Sequence, residues 1–443
     1  METKNKSLSK NILSLSAVQI ANNVLPILSV PIISRIIGPD KFGSINFAAS
    51  FIGYFVLIIG YGFDLSATRK IAKDPFNQEN RNKVFSEVFY IQSALLVVSA
   101  IIFTVLLLSV AQFRAESLLM IFSFLLCIST LFTQNWLFLA MQDMPKIAFF
   151  NLATKLLFTV FILLVIKERE DYVYQPLIIG CIQIAVALTS FIWAYKKYHL
   201  KFIKIPLSET FKLLWTERMI FFSILVVNLY TNSNVFILGI YQSSAQVGFY
   251  TAGQRLIIII QAIITNPLSQ ALYPFIGRAF GESKEAGLQT VQRILPVVAL
   301  VTGIAVLGIM IFGPYVLHLF YGDRFAPAVP VLQILMFLPL IIGFSNLMGV
   351  QIMLNLGMDK LFFRITCCGA ILSIFLNFLM IKRWGYIGTS INWILTETLI
   401  CIAMFLILRR KGIHPIQPQY FKLSEYKSYW DAFRLKSKVG LPK

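Results

Sequence analysis

The sequence predicts an all-α membrane protein, with about twelve transmembrane helices in two six-helix bundles around a central cavity. Its 443 residues are 57% hydrophobic and 13% charged, and the mean hydropathy is +0.75. Soluble domains carry about 25% charged residues. Apolar stretches of about 20 residues recur along the chain, and each can cross about 30 Å of hydrocarbon as a helix. The shorter alternating segments typical of a membrane β-barrel are absent from the sequence.

The first predicted span follows the basic N-terminus METKNKSLSK directly. This apolar run is too long for the core of a signal peptide, and no small-residue cleavage site follows it. Eleven further apolar runs come after it. The predicted spans cover residues 11–36, 43–64, 86–110, 117–141, 147–166, 177–196, 217–240, 248–275, 291–320, 327–355, 361–381 and 386–408.

Lysine and arginine predict the orientation, because both are enriched in cytoplasmic segments. With the N-terminus inside, 29 of the 39 lie in cytoplasmic segments, eight lie outside, and Lys155 and Arg255 lie within spans. Both termini are therefore predicted to be cytoplasmic. The net charge of +19 follows from this topology and suits an anionic inner leaflet. We expect membrane lipids as partners and no nucleic acid.

Two motifs occur once in each half of the chain. SRIIGPDKFGSINFA (34–48) is matched by LGIYQSSAQVGFYTA (238–252), and MQDMPKIAFF (141–150) by NLGMDKLFFR (355–364). Six spans per half is an even number, so both halves enter the membrane in the same direction as a parallel repeat. Two such bundles leave a cavity that rocking exposes to alternate sides, as in a transporter. The predicted domains are an N-terminal bundle (1–215), a C-terminal bundle (216–410) and a basic cytoplasmic tail (411–443).

The first repeated motif predicts a tight outer turn between two helices. Gly38-Pro39 is expected to end the first helix, because proline removes a hydrogen-bond donor and disfavours helix just before it. Gly43 is expected to start the next helix. The copy at Tyr241–Val247 has no proline, and only the first copy carries an arginine, Arg35.

Ionisable residues inside spans are expected to face protein or water, because they are costly in lipid. Lys155 lies about 12 Å deep at 1.5 Å per residue, and it either lines the cavity or extends its amine to the interface. Arg255 has the same two interpretations. The nearby amides of Gln254 and Gln261 favour a polar cavity wall and are candidates for sugar contacts.

Three further charged residues each have two interpretations. Glu397 lies near the middle of the last span and forms an ion pair or carries a coupling proton or Na⁺. Asp64 pairs with Arg69 or is a lone acid at the inner mouth. Arg35 lies at the outer end of the first span, where an interfacial anchor is the simplest role.

The run NLYTNSN (228–234) places three asparagines in one apolar span. Asn228 and Asn232 either form hydrogen bonds between helices or contact sugar hydroxyls. Across all spans, cations outnumber anions, which favours an anionic cargo. Arginine can hold phosphate oxygens with two parallel hydrogen bonds.

Several functional classes are disfavoured by what the sequence lacks. The five cysteines show no CxxC or Cys/His spacing, so neither a disulfide nor a metal site is expected. No GxxxxGK[ST] loop, paired carboxylates or nucleophile motif occurs, so we expect no cofactor and no catalytic residues. A multidrug exporter of the same fold would need an acidic cavity. A membrane polymerase or acyltransferase would need a large outer loop or a catalytic cluster.

Four separated motifs resemble those of a known family. They are SLSKNILSLSAVQIANNVLPILSVPIISRIIGPDKFGSINF, YGFDLSATRKIAK, NWLFLAMQDM and NPLSQALYPFIGR. With these motifs the chain resembles bacterial O-antigen and capsule flippases, the polysaccharide transporters related to multidrug/oligosaccharidyl-lipid exporters. The resemblance extends over residues 8–410. The chain departs from the lipid II flippase branch in having twelve predicted spans rather than fourteen.

The resemblance implies a function. Such proteins move an undecaprenyl-pyrophosphate-linked oligosaccharide across the bacterial cytoplasmic membrane, from the inner to the outer leaflet. The pyrophosphate would meet cavity cations, for which the candidates here are Arg35, Lys155 and Arg255, with Asp64 and Glu397 as counter-charges or sites of Na⁺ or H⁺ coupling. A polysaccharide polymerase and a chain-length regulator are the implied protein partners.

The tail carries aromatic residues at helical spacing, Tyr426, Tyr429, Trp430 and Phe433, with lysines among them. It is predicted to be an amphipathic helix on the inner leaflet or a disordered basic tail.

Overall fold

The computed structural model describes the backbone of residues 2–422, and the side chains of residues 30–206, 208–226, 228, 233–270 and 272–422. Across residues 2–422 the chain is helical and forms no strand. The predicted amphipathic tail helix lies outside the described residues. In chain order the α-helices are α1 Glu2–Gly60, α2 Phe63–Ala72, α3 Gln78–Ser109, α4 Ala111–Ala115, α5 Ser117–Phe132, α6 Asn135–Ala140, α7 Met144–Val165, α8 Tyr174–Lys197, α9 Leu207–Tyr241, α10 Ser244–Ile260, α11 Asn266–Glu282, α12 Lys284–Tyr321, α13 Val329–Leu335, α14 Leu338–Asn346 and α15 Asp359–Arg410.

Shorter helical segments connect some of these helices. Three are 3₁₀ helices, Arg169–Val173, Asp323–Ala328 and Pro418–Phe421. Two are π-helical, Gln261–Thr265 between α10 and α11, and Leu347–Leu354 directly after α14.

The described residues contain nine helical stretches that are long and apolar enough to cross a membrane. The prediction of an all-α, multi-pass membrane protein is therefore confirmed. The layout of twelve spans in two repeats stays a prediction. The nine stretches are Val30–Ala72, Gln78–Ser109, Ser117–Ala140, Met144–Val165, Arg169–Lys197, Ser244–Glu282, Lys284–Tyr321, Asp323–Leu354 and Asp359–Arg410.

Helices α1 and α15 each run through two predicted spans and change direction at one glycine. Gly38 has φ 77° and Gly385 has φ 55°, backbone conformations that side chains with a Cβ rarely adopt. Helical backbone resumes at Pro39, where proline's fixed φ suits the first turn of a helix. The expectation that the second helix starts at Gly43 was therefore wrong, because the turn needs only Gly38.

The described chain divides into two compact units. The first comprises the residues up to 248 together with 319–324, and the second comprises 249–318 and the residues from 325 onward. Helix α9 thus belongs to the first unit. The predicted bundles, 1–215 and 216–410, and the cavity between them stay predictions.

Both units bury aromatic and polar side chains. The core of the first unit includes a cluster of large aromatic side chains, among them Phe63, Phe85, Trp136 and Phe138, each at most 2% exposed. The second unit buries polar side chains within its membrane helices. Those of Asn377, Thr389, Ser390, Asn392 and Thr396 on α15 are fully buried. Polar groups at membrane depth need partners inside the protein. Oγ of Ser390 donates to the carbonyl oxygen of Tyr386, and Oγ1 of Thr396 donates to that of Asn392.

Candidate functional site

The two copies of the repeated turn pack against each other within the first unit. A Cβ added at Gly43 would lie 1.7 Å from the carbonyl oxygen of Ser244, and one added at Gly248 would lie 1.9 Å from that of Pro39. No side chain fits at such distances, so both positions require glycine. The motif therefore recurs because each copy supplies the glycine that lets the backbone of the other copy approach.

Arg35 lies beside this packed pair of turns. Its guanidinium donates to the carbonyl oxygen of Leu319 at 2.5 Å, in the last turn of α12. Carbonyls at a helix C-terminus carry partial negative charge, which suits an arginine. A Cβ added at Gly322 would lie 3.5 Å from Cγ of Arg35, so its stem packs on the loop after α12. The side chain is nevertheless exposed.

A charged network next to the first turn was not predicted from the sequence. Asp40 forms an ion pair with Arg169. Lys41 lies 3.7 Å from Glu170 and 4.1 Å from the ring centre of Tyr172. These residues are about 130 positions apart in the chain, so no local pattern in the sequence joins them. Exposed pairs of this kind contribute about 0–1 kcal/mol each, so we assign the network a structural role.

Two other predicted residues of the first unit lie on different helices. Lys155 is half-buried on α7, a helix in which only Ile162 is buried among the described side chains. Asp64 lies in the first turn of α2, where a carboxylate is favoured by the helix dipole. It is exposed and, within the described chain, forms no ion pair with Arg69.

Part of the asparagine run on α9 lies within the described residues. The side-chain amide of Asn228 donates to the carbonyl oxygen of Ile224 at 2.9 Å, one helical turn earlier. Asn234 is 1% exposed. The side chain of Asn232 lies outside the described residues, so its predicted sugar contact stays a prediction.

Arg255, on α10 in the second unit, differs from Arg35. It is half-buried, and within the described chain it forms neither a hydrogen bond nor an ion pair. The preceding Gln254 is 8% exposed. The buried Nε2 of Gln261, in the π-helical segment after α10, also has no partner among the described residues. An unpaired arginine at membrane depth is costly unless water or an anionic ligand contacts it.

A small cavity lies beside this π-helical segment. It is open to the surface and is lined by apolar side chains together with Thr265, Ser269 and Asn346. Ser269 donates to Oδ1 of Asn346 at 2.8 Å. Thr265 is 5% exposed, and its hydroxyl has no partner among the described residues. π-Helical segments are frequent at functional sites, but no pattern in the sequence predicted one here.

Glu397 is buried in the second half of α15. Its side chain is 8% exposed, and among the described residues it has no ion-pair partner. Its neighbours along the helix are neutral, including the fully buried Thr396 and Asn392. Nδ2 of Asn392 donates to Oγ of Ser373, which joins the two halves of α15. A carboxyl group in these surroundings is suited to hold a proton or a monovalent cation.

Three sequence comparisons agree with this architecture. Residues 8–280 match the family model described as "Polysaccharide biosynthesis protein". The chain is 25% identical over 414 residues to a protein of Escherichia coli (strain K12) named "Putative O-antigen transporter", covering 93% of this chain and 99% of that protein. It is also 25% identical over 405 residues to a Shigella dysenteriae protein of the same name, covering 90% and 99%.

Two solved structures share the fold. One is "Lipid II flippase MurJ, inward closed conformation", with a TM-score of 0.71 at 13% identity, covering 97% of this chain and 93% of that one. Another is a multidrug resistance MATE family transporter of the MOP superfamily in an inward-facing conformation, with a TM-score of 0.66 at 15% identity, covering 90% and 94%. At these identities the likeness concerns the fold alone. Since the family model matches more than half of its residues, this multi-pass membrane protein belongs to the polysaccharide biosynthesis protein family.

Proposed function

We propose that this protein is a flippase that moves undecaprenyl-pyrophosphate-linked oligosaccharide repeat units from the cytoplasmic to the periplasmic leaflet by alternating access. Family membership, the names of the two bacterial relatives and the fold shared with a lipid II flippase support this proposal. The observation that carries it is the unpaired, half-buried Arg255 inside a membrane helix.

Arg255 is the proposed contact for the pyrophosphate. Its planar guanidinium can donate two parallel hydrogen bonds to phosphate oxygens. The adjacent amides of Gln254 and Gln261 are then available to sugar hydroxyls. Within the described chain Arg255 has no competing acid, so binding of the cargo breaks no ion pair.

The other predicted residues have supporting roles in this proposal. Lys155 adds positive charge along the path of the head group, and Asn228 and Asn232 contact sugars. Arg35 adds positive charge from its place at the carbonyl of Leu319, without contacting the cargo. Asp64 acts as a counter-charge. Glu397 carries the Na⁺ or H⁺ that drives the return of the empty protein. This role suits its buried position, since proton or cation binding changes the charge of an otherwise neutral interior.

The proposal is tested by deleting the gene and locating lipid-linked repeat units with a membrane-impermeant sugar probe. In intact cells the probe should label few units, whereas in opened cells it should label many. Restoring the gene should shift the units to the outer leaflet and return surface polysaccharide. If the units accumulate on the outer leaflet in the deletion strain, translocation does not need this protein and a polymerase becomes the better assignment.

One observation favours a second function on the same fold, export of cationic compounds. Glu397 is a buried carboxylate without an ion-pair partner in the described chain, and a multidrug transporter is among the similar folds. An exporter would protect cells from cationic dyes. Unchanged dye accumulation in the deletion strain, together with lost surface polysaccharide, would exclude it. The resemblance to proteins named as transporters gives no support to an acyltransferase or other enzyme.

A further inference from the structure

The first half of α9 exposes a stripe of large apolar side chains. Phe211, Trp215 and Met219 are 69%, 69% and 67% exposed, and Phe222 is 51% exposed. The spacings of four, four and three residues place them on one face of the helix. This face is therefore covered by no other part of the described first unit.

The length of α9 and its predicted span, which begins at residue 217, indicate that this stripe begins at a membrane interface. The helix has 35 residues, which corresponds to about 52 Å at 1.5 Å per residue. The hydrocarbon core is about 30 Å thick, and the predicted span begins at residue 217. The turns before it, with Phe211 and Trp215, therefore extend into the headgroup region, where the amphipathic ring of Trp215 is favoured.

Positive charge lies on α9 and on the segment that leads into it. Lys201, Lys204 and Lys212 are exposed and form no ion pair within the described chain. The guanidinium of Arg218 lies 3.9 Å from the ring centre of Trp215 and donates back to the carbonyl of that residue.

The segment that carries two of these lysines is fixed in place. The backbone amide of Lys201 donates to Oδ1 of Asn82 at 3.0 Å, and that of Ile203 donates to Oγ of Ser86 at 2.9 Å. Both acceptors lie on α3. The side chains of Lys201 and Lys204 are therefore carried by a backbone segment that is hydrogen-bonded to α3.

The nearby acids are engaged by other lysines. Glu209 pairs with Lys83 at 3.2 Å, and the buried Glu217 pairs with Lys70 at 3.1 Å. Glu87 on α3 interacts with the same two lysines. Because these acids interact with Lys70 and Lys83, they do not neutralise the charge of Lys201, Lys204 and Lys212.

We propose that these residues form a binding surface for anionic phospholipid, called here the α9 lipid surface. It is defined as the stripe Phe211–Trp215–Met219, Lys212 and Arg218 on the same helix, and Lys201 and Lys204 in the segment before it. The phosphate contacts the cations, and an acyl chain lies along the stripe toward Phe222. Charge complementarity selects an anionic lipid over a zwitterionic one. Each lysine near a membrane surface contributes about 1 kcal/mol to attraction of anionic lipid.

The test uses the full chain, purified in a neutral detergent, with phosphatidylglycerol and phosphatidylcholine of identical acyl chains. Native mass spectrometry measures the affinity for each lipid. Wild type should prefer phosphatidylglycerol at least tenfold, and the variant Lys201→Gln/Lys204→Gln/Lys212→Gln should lose most of that preference. Glycerol phosphate, which lacks acyl chains, should not compete at equal concentration. The melting temperature confirms that the variant, altered only at exposed side chains, remains folded.

A matched control variant tests whether a lost lipid preference comes from this surface or only from the lower net charge. Lys284→Gln/Lys360→Gln/Lys411→Gln removes the same charge at exposed positions of the second unit and should keep the preference within twofold. Equal loss in both triple variants would overturn the proposal, as would equal affinity of wild type for the two lipids. A polyprenyl diphosphate that displaces phosphatidylglycerol at a tenfold lower concentration would also overturn it, since the surface would then serve the cargo.

Discussion

Arg35 and Arg255 both lie in predicted membrane spans, but their surroundings differ. Arg35 donates to the carbonyl of Leu319 and packs on the loop after α12. Arg255 is half-buried and has no partner in the described chain. The protein itself supplies a partner for the first arginine, whereas in our proposal the cargo supplies one for the second. An arginine at membrane depth is thus best interpreted by its partners and not by its depth.

Arg255→Ala should have the largest effect on transport. Hydrogen bonds to a charged group contribute about 1.5–3 kcal/mol, so we expect surface polysaccharide to fall roughly 10- to 100-fold. Arg255→Lys should retain part of the activity, because it keeps the charge and loses the second parallel hydrogen bond. Polymer is measured together with the amount of protein in the membrane. Normal polymer levels in Arg255→Ala would contradict a role in cargo binding.

Gly43→Ala should have the largest effect on stability. Its Cβ would meet the carbonyl of Ser244, and overpacking of this kind costs about 1–3 kcal/mol. Thermal unfolding in detergent measures the loss. Gly53→Ala in the same helix is the control, because a Cβ there meets nothing within 4 Å.

The double variant Gly43→Ala/Gly248→Ala should lose less stability than the sum of the two single losses, because both substitutions separate the same pair of turns. Strict additivity would mean that the turns do not form one contact.

Glu397→Gln should change how transport depends on pH or Na⁺. Glutamine keeps the shape of the side chain but cannot take up a proton or provide a negative charge. We expect transport into inverted vesicles to fall about fivefold, or about 1 kcal/mol, and to respond less to either gradient. The exposed Glu285→Gln should keep the wild-type profile. An unchanged profile for Glu397→Gln would leave this carboxyl with a structural role alone.

Arg35→Gln should have the smallest effect on transport and a modest effect on stability. Losing the hydrogen bond to the helix C-terminus costs about 1 kcal/mol, which should lower the melting temperature slightly. Polymer should stay within twofold of wild type. A loss as large as that of Arg255→Ala would contradict the comparison between the two arginines. Arg35 would then contact the head group, as the family resemblance implies.

Part of the fold could be predicted from the sequence because hydrophobicity acts locally. Runs such as 86–110 and 291–320 are apolar over the thickness of a bilayer, and both are helical in the structure. The turn at Gly38 was placed correctly, but its length was not. Hydropathy does not show that a single residue with positive φ is enough to change the direction of a helix.

The candidate site was harder to predict. Residue type marked Arg255 and Glu397 as unusual in a membrane span, but it could not tell whether each had a partner. The two π-helical segments and their cavity were missed, because no composition signal distinguishes a π turn from the α-helix around it.

The sequence by itself determined the class of this protein, its helical membrane spans and the repeated glycines, since these depend on the polarity and backbone freedom of single residues. Only the tertiary structure decided what the glycines and arginines contact. It brings Gly43 to Ser244, about 200 positions away in the chain, and Arg35 to Leu319, 284 positions away. It leaves Arg255 without a partner in the described chain. Contacts of that range depend on helix packing, in which every side chain of both helices takes part.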